Sequence, residues 1–239
     1  MATPTIPNGE EYFFVTKYEG NSAGQRVGRF VPFTDSGTIA NSVIFNRVDS
    51  ATMSRTLETP TNAKKFTFST WWKRGNLDSN ITKILGFSGG YIGIVSNEFY
   101  VTDYVSSTNF SLSSNRTLED TSKWYHLMVA VDTTLSTSGD RVKLYIDGDR
   151  ITSLSYEAQP SQNLDTSFNG GSGTLYIGRR GLDTTNLLDG YLAETNFVDG
   201  QQLTPASFGE TDTSTGRWVP STVKPHPTTT TTYLVTVVG

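Results

Sequence analysis

Residues 124–132, WYHLMVAVD, followed by 141–151, RVKLYIDGDRI, 174–180, TLYIGRR, and 188–197, LDGYLAETNF, decide the fold. In the second run Val142, Leu144 and Ile146 point one way while Arg141, Lys143, Tyr145 and Asp147 point the other. That period of two is a strand with one buried face, not a helix. The Asp147-Gly148 dipeptide supplies the positive φ angles of a tight hairpin, so the register of this pair is set locally.

Working outward, the same signals recur upstream. SVIFNR (42–47) and TMSRTL (52–57) read as short strands. KKFTFSTWWKRG (64–75) places Phe66, Phe68, Thr70 and Trp72 on one face and Thr67, Ser69 and Trp71 on the other, so one of the two adjacent tryptophans belongs to a core and the other to a second layer or a partner. KILGFSG, YIGIVSN, EFYVTDY and NFSLSSN follow between residues 83 and 115 with Gly, Ser and Asn between them. Many short strands with frequent turns are the signature of a sandwich or barrel. After Phe197 the pattern changes: Thr204 with Pro205 predicts one capped helical turn. The expected division is an N-terminal arm or docking segment over 1–40, the β domain over 41–219, and a Pro/Thr-rich linker with a terminal strand over 220–239. The terminal run TYLVTVVG has no partner visible in the sequence, which predicts pairing in an oligomer or a chain that continues.

Composition narrows the function. The 239 residues carry a formal net charge of -4 and no basic cluster longer than a pair, so no electrostatic footprint for nucleic acid or an anionic membrane exists. With no cysteine, the fold rests on packing alone, and thiolate metal sites and cysteine nucleophiles are excluded. No apolar run approaches the ~20 residues of a membrane-spanning helix, and MATPTIPNGEEYFF lacks the basic start and apolar stretch of a secretory signal. The sequons at Asn80, Asn109 and Asn115 read accordingly as products of a Ser/Thr-rich surface.

Taken in order, KFTFSTWWKRGN, KWYHLMVAVDTT, VKLYIDGDRI, LYIGRR and LDGYLAETNFVDGQQLT resemble the strand blocks of laminin-G-like domains of the concanavalin A-like lectin/glucanase superfamily, over roughly Val43 to Glu210. The resemblance implies an all-β jelly-roll sandwich of two antiparallel sheets, one of them typically concave. More narrowly, Asn41–Arg55 and the block DGYLAETNFVDGQQLTPASFGE look like laminin-G-like modules of tailed-phage virion proteins. This implies a non-enzymatic virion structural protein, a fibre, decoration or receptor-binding module, assembled in the host bacterial cytoplasm. Its partners would be other virion proteins, further copies of itself in a homo-oligomer, and a host surface glycan. The alternative is a lectin-like protein whose purpose is the glycan itself, and a third reading is a glycoside hydrolase.

Glucanases of this fold carry carboxylates two residues apart on one strand, because alternate positions project onto one face where acid and nucleophile flank a bond. No Glu-x-Asp-x-Glu run occurs; Asp147-Gly-Asp149 and Glu119-Asp120 lie in a turn and a loop, and Glu194 stands alone on its strand. His126 reads as a structural histidine with its nitrogens satisfied by neighbours, and His226 lies in the Pro-rich linker. Calcium is implied by the resemblance, at a sandwich rim; Asp103, Asp165, Asp183 and Asp189 are the loop carboxylates available, with turn formation as the competing reading. For sugar binding, aromatics with polar groups beside them are needed, and Tyr100, Asp103 and Tyr104 in EFYVTDY are the candidates, against ordinary strand packing.

Overall fold

A computed structural model describes residue 39 and residues 42–57, 59–77, 81–87, 89–105, 107–169, 173–181, 183–221 and 232–233. The expected arm over 1–40, apart from residue 39, and His226 lie outside them. Sixteen strands are described: β1 Val43–Phe45, β2 Met53–Thr56, β3 Lys65–Arg74, β4 Ile81–Phe87, β5 Gly90–Val95, β6 Glu98–Val105, β7 Ser107–Thr117, β8 Trp124–Asp132, β9 Val142–Ile146, β10 Asp149–Arg150, β11 Leu154–Ala158, β12 Thr174–Ile177, β13 Gly190–Asp199, β14 Gly209–Thr211, β15 Trp218–Pro220 and β16 Thr232–Tyr233. They build two large antiparallel sheets and one small hairpin. The first sheet runs β1-β13-β3-β8-β9-β10, with β16 also on β13; the second runs β11-β7-β6-β5-β4-β12-β2. Among the described residues no helix is long and apolar enough to cross a membrane.

The alternation read from the sequence places the core. Phe66, Phe68 and Trp72 of β3, Tyr125, Leu127, Val129 and Val131 of β8, and Val142, Leu144 and Ile146 of β9 face inward from the first sheet. They meet Ile92 and Ile94 of β5, Phe99 and Val101 of β6, and Phe110 and Leu112 of β7 from the second. Phe66 lies at ring-centroid distances of 5.1 Å from Phe168 and 5.3 Å from Phe197, so large apolar side chains interlock across the layer.

The first sheet is buried on its other side too. Met128 and Ala130 of β8 and Val198 of β13 are covered by Phe208 and Leu203, brought there by the chain after Asp199. Pro205–Ser207 forms the expected turn as a 3-10 helix with Thr204 at its N-cap, but the Thr204 side chain makes no capping bond; Phe208 N–H closes onto the Pro205 carbonyl instead. β14 and β15 then pair and set the indole of Trp218 over the first sheet. The terminal run needs no second subunit for its described part: Thr232 and Tyr233 pair with Val198 and Phe197 of the same chain.

Asp147 and Gly148 turn between β9 and β10 at φ 55° and 86°, the two positive values a two-residue hairpin requires. Gly148 has a second reason to be glycine: a Cβ there would stand 2.6 Å from the Trp218 ring. Gly148→Ala is therefore expected to cost the left-handed strain of roughly 1–2 kcal/mol plus displacement of the indole. Urea unfolding checks this: in a Trp218→Ala background the same change costs only the backbone part, giving a measurable coupling between the two positions.

Candidate functional site

Cross-strand partners point to the same side of a sheet, so register shows what the outer face of the second sheet displays. One row runs Tyr156, Ser113, Tyr100, Gly93, Lys83 across β11, β7, β6, β5 and β4. The next runs Ser111, Thr102, Tyr91, Gly86, Tyr176 across β7, β6, β5, β4 and β12. At about 4.8 Å per strand, the five steps from β12 to β11 span roughly 24 Å. Strand pairing thus collects Tyr91, Tyr100, Tyr156 and Tyr176 on one surface from four separate segments.

The face is aromatic and hydroxylated. Tyr91 and Tyr100 lie with ring centroids 5.5 Å apart. Ser111 Oγ donates to Tyr100 Oη at 2.8 Å, and Ser113 Oγ donates to Glu98 Oε2 at 2.7 Å, so the phenol of Tyr100 keeps its own proton for an outside acceptor. Burial, and then the neighbouring Tyr100, push the Tyr91 phenol up to about 12, so it stays a neutral donor at any working pH. At one end the loop after β12 crosses over Gly86, where a Cβ would meet Arg179 O and Arg180 Cα at 2.7 Å. It delivers the Arg179 guanidinium over Tyr176, 4.5 Å from the centroid, and Arg180 beside Tyr91 at 5.9 Å.

The trio Tyr100, Asp103 and Tyr104 is split by the fold. Tyr100 stands in the middle of the outer face. Asp103 is fully buried: its carboxylate accepts from the Ser167 backbone N–H at 2.8 Å, from Ser167 Oγ, and from Asn109 Nδ2 at 3.1 Å, and burial raises its pKa. It ties β6 to the loop after β11. Tyr104 is 49% exposed and lies beyond a register shift in the pairing of β6 with β7, opposite Thr108. Tyr91, Tyr156 and Tyr176 were not among the expected residues, although Tyr91 alternates with the inward Ile92 and Ile94.

The rim carboxylates considered for calcium are each turned to protein partners. Asp165 pairs with Lys64, Asp183 with Lys83 at 2.7 Å and Arg180 at 3.1 Å, and Asp189 accepts from Asn76 and lies 3.9 Å from Arg47. No three His, Asp or Glu side chains gather among the described residues, and cations already occupy three of these four carboxylates, so the set does not fit a calcium ion. Asp120 accepts from Ser122 and Glu119 from Asn97. Asp147 takes Lys123, Arg116 and the His126 backbone N–H. Glu194 occupies a bulge in β13 at φ 47°, with its carbonyl accepting from Asn196 Nδ2 at 2.7 Å.

His126 has no access to solvent, and both ring nitrogens are bonded within the protein. Trp218 Nε1–H donates to Nδ1 at 3.0 Å, which makes Nδ1 the acceptor and leaves Nε2–H to donate to Ser69 Oγ at 2.8 Å. The Trp71 ring lies against it at 5.1 Å. This imidazole holds a layer in place and performs no chemistry on the opposite, open sheet.

The described architecture is thus an antiparallel two-sheet sandwich, one sheet closed on both sides and the other presenting an aromatic outer face. A laminin G family model of the concanavalin A-like lectin/glucanases superfamily matches residues 32–207, and the chain belongs to that family. No curated protein sequence matches it. Among solved structures, domain 4 of the extracellular arabinanase AbnA of Geobacillus stearothermophilus, in complex with arabinotriose, is 20% identical, with TM-score 0.42 over 60% of this chain and 64% of that one. Domains LG4-5 of the mouse laminin alpha1 chain are 12% identical, with TM-score 0.45 over 78% of this chain and 46% of theirs. The chain spans less than two thirds of either, and both are too distant to say what it binds.

Burial depresses the His126 pKa to about 4 from 6.5. A depressed histidine stabilises in its neutral form: the contribution is complete above pH 6.5 and is lost as pH falls toward 4, amounting to about 3 kcal/mol. Asp103, raised by burial, titrates in the opposite sense, so the comparison with His126→Gln isolates the imidazole. Urea midpoints measured from pH 7 to pH 4 are expected to fall steeply for the native chain and to show a shallower slope for the variant.

Proposed function

We propose that this chain is a non-enzymatic recognition module that holds a glycan across the outer face of its second sheet. The observation that carries this reading is the row geometry: tyrosines from β5, β6, β11 and β12 share one surface with the hydroxyls of Thr102, Ser111 and Ser113. Aromatic faces stack on the C–H surfaces of a sugar ring while neighbouring hydroxyls and a carboxylate fix its orientation. A span of roughly 24 Å suits an oligosaccharide rather than one sugar. Bond cleavage needs two carboxyl groups about 5–9.5 Å apart flanking one bond. Two carboxylates are described at this face, and both are engaged: Glu98 accepts from Ser113 and Ser155, and Asp183 pairs with Lys83 and Arg180. That supports recognition without hydrolysis.

We propose as the biological setting a virion surface, where such a module would serve as fibre, decoration or receptor-binding domain alongside other virion proteins. The likeness of Asn41–Arg55 and of DGYLAETNFVDGQQLTPASFGE to tailed-phage modules supports it. Assembly in such an appendage implies a closed oligomer.

Two measurements test these readings. Titration calorimetry against oligosaccharides is expected to find a saturable ligand whose affinity drops about 10-fold, ~1.4 kcal/mol, in Tyr100→Ala and again in Tyr91→Ala. A chain that binds no glycan, or that shortens the bound one on chromatography, overturns the proposal. Light scattering of the full chain is expected to give a mass several times that of one chain; a monomer at all concentrations sinks the appendage model.

A further inference from the structure

The glycan face ends in charge. Where Tyr91 and Tyr176 flank Gly86, the loop after β12 lies directly on the sheet and carries Arg179 and Arg180 onto the two rings. Lys83 stands in the adjacent row with Nζ 5.8 Å from the Tyr91 centroid. Three cations therefore converge on one end of the aromatic row, and one carboxylate, Asp183, answers two of them: Lys83 Nζ at 2.7 Å and Arg180 Nε at 3.1 Å. Arg180 meets Asp183 through Nε, on a side chain that is 40% exposed, so its end-on pair of terminal amines is not used by that bond. The Arg179 Nε is buried and has no hydrogen-bond partner among the described residues. A buried donor without a partner is costly unless something else supplies an acceptor.

The arrangement has the chemistry of an anion clamp beside a stacking platform. Guanidinium groups hold carboxylate or sulfate oxygens by paired N–H donors, and their planes stack on aromatic rings while doing so, which an ammonium cannot imitate. Tyr176 orients Arg179 and Tyr91 orients Arg180, so both forks are positioned before any ligand arrives. Gly86 is what permits this, because any side chain there would lift the loop off the rings.

Resting on the glycan reading above, we infer that the ligand is an anionic glycan, with a sugar carboxylate or sulfate ester taken by Arg179 and Arg180 while its rings lie along Tyr91 and Tyr100. Neutral chains of the same backbone would reach the tyrosines but leave the guanidiniums unanswered.

Matched pairs of probes separate charge from shape and carboxylate from sulfate. Calorimetry would compare oligogalacturonate with its methyl ester, and dextran sulfate with dextran, at about 50 and 300 mM NaCl. The acidic member of at least one pair is expected to bind 10-fold or more tightly, with an advantage that shrinks at the higher salt. Arg179→Gln and Arg180→Gln, checked for an unchanged melting curve, are expected to remove most of that advantage. Arg180→Lys is expected to restore little, because the fork is lost although the charge remains. Tyr100→Ala would weaken acidic and neutral probes alike. Equal binding within both pairs, or arginine variants that bind the acidic probe as well as the native chain, overturns the anionic assignment while leaving the glycan face standing. Failure of every probe, acidic and neutral, overturns both.

Discussion

The hydrogen bond from the Trp218 indole to Nδ1 of His126 fixes what each side of the sandwich is free to do. A neutral imidazole with no solvent around it needs one acceptor and one donor bond, and it finds them in Ser69 and Trp218, from β3 and β15. The indole cannot take that place unless Gly148 and Gly209 leave room for its ring, and a Cβ on either would come within 2.6 Å of it. Met128, Ala130 and Val198 then bury their outer surfaces beneath Phe208. With that layer in position, β8 is covered on both faces, as its burial from Tyr125 to Asp132 records. The first sheet becomes the inside of the protein, and the second is left with the open outer face.

The two outer faces differ in chemistry accordingly. The covered one is lined by Thr67, Ser69, Trp71 and Met128, and its hydroxyls close on the neighbouring imidazole or on the C-terminal chain; Thr67 donates to the Gln201 carbonyl and accepts from Leu203, while the buried Trp71 Nε1–H has no partner among the described residues. The open one carries half-buried phenols set among serine hydroxyls and a lysine that are themselves buried, Ser111 donating to Tyr100 and Ser113 to Glu98. Half-buried tyrosines with their edges satisfied reconcile an apolar platform with water on one side.

The fold was legible to the extent that it is local. Period-two alternation located β3 to β9, β12 and β13 and set Trp71 and Trp72 on opposite faces; which of the two belongs to the core follows only from the fold, which puts Trp72 inside and Trp71 in the outer layer. β11 escaped because LSYEA alternates weakly and is mostly exposed at an edge. β14 and β15 escaped because three-residue strands of Gly, Glu, Thr and Trp, Val, Pro carry no period, and their existence follows from packing on His126. The candidate site was legible only in Tyr100. Asp103 sits in the same run but falls on the inward parity of β6, beside Phe99 and Val101, and parity alone separates it from its neighbours. Tyr176 and Arg179 reach the face through pairing of β12 with β4, some ninety residues apart, which no short-range pattern encodes.

One part of the site was nevertheless written locally. Ser96 and Asn97 turn between β5 and β6 at φ 50° and 68°, a two-residue loop that joins Val95 directly to Glu98. That loop length sets the register, and the register sets Tyr91 opposite Thr102 and Gly93 opposite Tyr100, which brings the two phenol rings to diagonal contact. A slip of one residue would turn Tyr100 into the core and Phe99 out to solvent, so the apolar side of β6 enforces the geometry of its polar side. Asp147 and Gly148 do the same for the closed sheet, setting β9 against β10 and clearing the space for Trp218. Two short turns thus hold the two faces to their separate tasks: one keeps the outer layer locked on the first sheet, and the other keeps the tyrosines of the second at stacking distance.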